Sequence, residues 1–138
     1  MKKIFRYYLW SILWGLLIIL LTALPGDLIP DVPSYLDLFE PDKLVHIVLF
    51  AVLIFLLIRG FVLHDGSVFC REQAIFLSIN IGVFLSGLTE LMQKYFISGR
   101  IASVYDFIAN VAGCFIGWWL FCFWMRRKTS ARNKQRPS

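Results

Sequence analysis

Four long apolar runs, separated by short polar stretches, dominate the chain: approximately Tyr7–Leu24, Lys43–Leu63, Gln73–Phe96 and Val104–Met125. An α-helix needs roughly 20 mostly apolar residues to cross a bilayer's hydrocarbon core, and each run is close to that length or beyond it. The pattern predicts an all-α integral membrane four-helix bundle, with residues 1–125 as one domain. The connection Pro25–Asp42 holds Pro25, Pro30, Pro33 and Pro41, so it cannot be a continuous helix. Leu28, Ile29, Val32, Tyr35, Leu36, Leu38 and Phe39 are interspersed with those prolines. That mixture suits a segment resting on the membrane surface. Residues 126–138 are basic and polar and are expected to be a disordered tail. Lys2, Lys3 and Arg6 precede the first apolar run, as they would in a signal peptide. That run exceeds a typical signal core and no A-x-A site follows it, so an uncleaved first span is expected.

Composition supports a membrane protein and excludes an ordinary soluble domain. Hydrophobic residues make up 59% of the chain and charged residues 17%, against about half and a quarter in soluble domains. The net charge of +5 would suit nucleic acid. The basic residues, however, flank apolar segments instead of decorating a soluble surface, so no nucleic-acid partner is expected. Their distribution sets an orientation. With the N-terminus in the cytoplasm, Lys2, Lys3, Arg6, Arg59, Arg71, Arg126, Arg127, Lys128, Arg132, Lys134 and Arg136 lie inside, and only Lys43, Lys94 and Arg100 lie outside. Eleven against three is the positive-inside bias, so both termini are expected in the cytoplasm. Tyr7, Tyr8, Trp10 and Trp124 fall near the inner interface, where amphipathic rings anchor helices. Cys70, Cys114 and Cys122 have no CxxC spacing, which argues against zinc or redox chemistry. His64, beside Asp65 and Gly66, reads as a solvated turn residue.

On this topology the remaining polar residues gather at the outer face. Asp42, Lys43 and His46 form the first turn of the second helix, Glu90, Gln93 and Lys94 lie near the outer end of the third, and Ser103, Asp106 and Asn110 open the fourth. Arg100 sits between the third and fourth. A rise of about 1.5 Å per residue puts His46, Glu90 and Asp106 at similar depth. Residues three or four apart share a helix face, which groups Asp42 with His46, Glu90 with Gln93 and Lys94, and Ser103 with Asp106 and Asn110. The last stripe continues to Gly113 and Gly117, a GxxxG step, while Ser78, Gly82 and Ser86 form a small-residue ridge on the third helix. Such ridges let membrane helices approach closely.

An ionisable group below the headgroups is costly unless paired, and it marks function by default. Three readings follow. The set forms an outward pocket in which Arg100, Lys43 and Lys94 bind an anionic lipid headgroup or envelope precursor. Alternatively, His46, Glu90 and Asp106 supply acid–base groups to an enzyme acting on a lipid-linked phosphate or ester, or hold a metal. In the third reading the set only locks three helix ends together, in a protein that pairs with itself or with other envelope proteins. No metal or cofactor is expected, because one histidine with carboxylates from separate helices has no diagnostic spacing.

The run Asp42-Lys43-Leu44-Val45-His46, with Phe50 and Leu53, resembles the first motif of the VanZ-like family. Thr89-Glu90-Leu91-Met92-Gln93, then Gly99-Arg100, Ser103, Asp106, Asn110, Gly113 and Gly117, resembles its second. The resemblance spans about residues 7–125. Members of that family often carry a proline before the glycine–arginine pair, where this chain has Ser98. The resemblance implies four membrane helices and a link to glycopeptide (teicoplanin) resistance, after which the family is named. It implies no particular reaction.

Overall fold

The computed structural model describes residues 2–23, 41–65, 68–96 and 104–134. They form four helices: α1 (Lys2–Thr22), α2 (Pro41–Asp65), α3 (Val68–Phe96) and α4 (Val104–Lys134). The predicted first connection, apart from Pro41 and Asp42, lies outside the described residues. Pro41 opens α2, a position where the missing N–H is one the helix could not pair anyway.

Three of the helices contain stretches long and apolar enough to cross a membrane: Lys43–Val62, Arg71–Phe96 and Val104–Ser130. The apolar part of α1 is shorter, Tyr8–Thr22, so its length does not by itself establish a fourth span. The helices also outrun the apolar segments. α2 continues through His64, which was expected in a turn, and α4 continues through most of the basic stretch expected to be disordered, to Lys134. Arg, Lys and Ala are good helix formers. Arg127 and Lys128 also fold back over the rings of Phe123 and Trp124, at 4.3 Å and 5.1 Å from their centroids, which binds the added turns to the apolar part of α4.

α2 is the central helix. It contacts α1, α3 and α4, and its interface with α4 is the most extensive. α2 and α4 run parallel, as paired residues along them show: His46 meets Asn110, and Phe55 meets Phe121. Gly113 and Gly117 lie against the backbone of Ile47 and Ala51. A Cβ at Gly113 would stand 2.5 Å from the Ile47 carbonyl oxygen, and one at Gly117 would collide with that of Ala51. The GxxxG step thus lets the α4 backbone press directly onto α2. Because α2 and α4 are parallel, α3 runs antiparallel to both and packs against both, with Gly82 against Ile54 and Cys114. α1 is antiparallel to α2: Tyr8 packs edge-on against Phe61, and Trp14 Nε1–H donates to the Leu49 carbonyl at 2.9 Å.

Polarity is inverted relative to a water-soluble bundle. The buried face of α3 is Ala74, Ser78, Gly82, Ser86, Thr89, Glu90 and Gln93, all small or polar, while Phe76 and Phe84 on the outside are more than 70% exposed. Apolar side chains point outward where lipid replaces water as the solvent, and small residues bring the backbones together. A compact apolar core remains along α2, built on Ile18, Phe50, Ile54, Ile58 and Phe121.

Candidate functional site

The polar residues of three helices enter the bundle at one level. His46 is five residues into α2, Glu90 six residues before the end of α3, and Asn110 six residues after the start of α4. At about 1.5 Å per residue these are depths of about 7–9 Å. His46 and Asn110 are both buried, at 2% and 0% exposure. Their side chains are hydrogen-bonded, with 3.0 Å between His46 Nδ1 and Asn110 Oδ1. An amide oxygen only accepts, so Nδ1–H donates, and in the neutral ring Nε2 is left as the acceptor nitrogen. The pair joins α2 to α4 one turn from the Ile47–Gly113 contact, so the GxxxG packing holds the two side chains in register.

α3 contributes Ser86, Thr89, Glu90 and Gln93, all buried. Their spacing of three and four residues keeps them on one face. The Thr89 hydroxyl donates to the Ser86 carbonyl at 2.8 Å, closing a local bond within the helix. Glu90 and Asp106 are each engaged by other residues. Asp106 sits in the first turn of α4, where the positive end of the helix dipole favours a carboxylate. Among the described residues, three buried donors here, Ser86 Oγ, Gln93 Nε2 and Asn110 Nδ2, have no hydrogen-bond partner. A buried donor without a partner costs about 1–3 kcal/mol.

The cationic residues divide. Lys43 is half-buried and lies over the Tyr105 ring, 5.3 Å from its centroid, which brings the first turns of α2 and α4 together. Lys94 is exposed and lies over Tyr95 at 5.4 Å. Its expected share of the Glu90–Gln93 face is not what forms: a residue four beyond Glu90 but one beyond Gln93 sits at the edge of that stripe, and its ammonium leaves it for the surface. Asp42 lies in the first turn of α2, but its side chain is outside the described residues, as are Ser98, Arg100 and Ser103. Among the described residues, no three His, Cys, Asp or Glu side chains assemble as a metal-ligand set.

The small-residue positions divide as well. Gly82, Gly113 and Gly117 are close-contact sites, whereas Gly87 faces open space. Ser86 is fully buried and its hydroxyl has no partner among the described residues. One stripe escaped the sequence reading. Ser11, Ile18 and Thr22 form the buried side of α1, and Trp14 bonds across to α2. The spacing Ser11–Gly15–Ile18–Thr22 follows a helical face within an otherwise uniformly apolar run, and that was the available signal.

Comparison with known proteins agrees with the motifs. A family model described as VanZ/LLP1 matches residues 6–125. No curated protein and no solved structure matches the chain. The family is linked through its name to teicoplanin resistance, and the multi-span architecture accords with its place in the inner membrane. The match covers both polar motifs, the glycine step and all the apolar stretches, and the chain belongs to the VanZ/LLP1 family of multi-span membrane proteins.

Proposed function

We propose that the protein binds an anionic lipid headgroup or envelope precursor in a polar pocket facing away from the cytoplasm. In this reading α1 is a fourth span, both termini are cytoplasmic, and the pocket is built from His46, Glu90, Gln93, Asp106 and Asn110. Asp42, Lys43, Arg100 and Ser103 complete it at the rim. The basic-residue bias of the sequence supports the orientation.

The observation that carries the reading is the pair of buried donors, Gln93 Nε2 and Asn110 Nδ2. A protein that only locked helix ends together would gain by pairing them or by replacing them with apolar groups. Two buried N–H donors on different helices, about a helical turn apart in depth, suit the oxygens of a phosphate or carboxylate. Lys43, and Arg100 in the connection above, supply the charge that such an anion requires. The same site bears on teicoplanin response through whatever lipid-linked molecule it holds.

The test is binding of a short-chain phosphatidic acid to the purified protein in a neutral detergent. The double variant Gln93→Leu, Asn110→Leu and the single variant Arg100→Ala are each expected to weaken binding about tenfold, as loss of roughly 1.4 kcal/mol would, while the helices stay folded. Wild-type affinity in both would overturn the reading.

A further inference from the structure

A second polar feature lies at the opposite end of the bundle, about 20 Å along α2 from His46 at the helical rise. A cavity of about 270 Å³ opens there between α2 and α4. Val62, Phe121, Trp124 and Met125 form its walls, and Arg59 and Lys128 form its rim. The aromatic wall is rigid, because Phe55, Phe121 and Trp124 pack on one another with centroids 5.9–6.0 Å apart. A second cavity of about 410 Å³ shares Met125 and Thr129 with the first and adds Arg71 and Arg126. The Nε of Arg71 is buried and has no hydrogen-bond partner among the described residues. Both volumes are near the lower end for small-ligand sites, about 300–1,000 Å³.

We infer that these adjoining cavities bind one anionic phospholipid, with its phosphate among Arg59, Arg71, Arg126 and Lys128 and the start of an acyl chain on the wall of Val62, Phe121, Trp124 and Met125. Charge and shape select this occupant. Among the described residues, neither cavity is lined by a carboxylate, so the four cations have no acidic partner within the site. A zwitterionic or neutral lipid would leave that charge uncompensated, and a free anion would leave the apolar wall uncovered. Lys128 lies over the Trp124 ring, 5.1 Å from its centroid, and both residues line the first cavity. Basic pockets between membrane helices bind anionic headgroups by this combination. The inference is independent of the function proposed above, since no residue is shared between the two sites.

The experiment is native mass spectrometry of the full chain released from detergent containing equal amounts of phosphatidylglycerol and phosphatidylcholine with identical acyl chains. The wild-type protein is expected to retain phosphatidylglycerol at least fivefold over phosphatidylcholine, a comparison that needs no variant. In R59Q/R71Q/K128Q the number of retained phosphatidylglycerol molecules falls by one. In R132Q/K134Q/R136Q, which loses the same charge from the tail, it is unchanged. Excess glycerol phosphate does not displace the lipid. Equal retention of the two lipids by the wild type, an unchanged count in the first variant, an equal fall in the second, or displacement by glycerol phosphate would each overturn the inference.

Discussion

His46 and Asn110 illustrate how much a single pair decides. Both are buried, the hydrogen bond between them crosses from α2 to α4, and among the described residues the amide nitrogen of Asn110 is left without a partner. Interhelical hydrogen bonds in membranes contribute about 0.6 kcal/mol on average and up to about 1.7. Asn110→Ala should therefore lower thermal stability in detergent modestly, because it removes the bond and leaves the histidine N–H buried. The double variant His46→Leu, Asn110→Leu should recover most of that loss, since matched apolar groups of similar shape remove both unpaired ends. It should nevertheless fail to bind an anion. A double-mutant cycle on the melting midpoint checks the coupling; additive losses would mean that the two side chains do not act as a pair. The identity of these residues was legible in the sequence because a polar side chain inside an apolar run stands out. Which donors would end up unpaired was not legible, since that depends on side-chain directions that spacing leaves open.

The α2–α4 contact explains most of the architecture at the level of elements. Gly113 and Gly117 meet backbone atoms, which cannot move aside as a side chain can, whereas at Gly82 a Cβ would meet the ends of Ile54 and Cys114. Gly87 meets nothing within 4 Å. A graded series follows: Gly117→Ala and Gly113→Ala should each cost about 1–3 kcal/mol by overpacking, Gly82→Ala less, and Gly87→Ala close to nothing. Melting midpoints in one detergent check the order, and a Gly87→Ala as damaging as Gly117→Ala would contradict it. The sequence showed the glycine step and its stripe with Asn110. It could not show that the stripe faces α2 and not α3, because both neighbours offer faces that small residues can approach. Helix ends were equally hard to read: membrane length sets the apolar run, but the backbone keeps its own hydrogen bonds well into the polar flanks, as α4 does to Lys134.

The described helices form a parallel α2–α4 pair, with α3 antiparallel and packed on both and α1 packed on α2. Three helices have the length and apolarity to span. Whether α1 does so sets the side on which its N-terminus lies. With four spans, a cysteine introduced at Ser138 and another at Lys2 should both resist a membrane-impermeant maleimide in intact cells and react after permeabilisation. Labelling of only one of the two in intact cells would mean an odd number of spans. The all-α four-helix arrangement was readable from apolar length, since the bilayer imposes that length independently of packing detail.

The central claim is that the buried amides of Gln93 and Asn110 meet an anionic headgroup. The chain has three asparagines, Asn80, Asn110 and Asn133, and three glutamines, Gln73, Gln93 and Gln135, so side-chain amide spectra of selectively 15N-labelled protein contain few signals. Titration with a short-chain phosphatidic acid should shift the Asn110 and Gln93 NH₂ resonances together and saturably, while Asn80, exposed and bonded to the Phe76 carbonyl, stays in place. Unmoved Asn110 and Gln93 signals at saturating lipid would contradict the account.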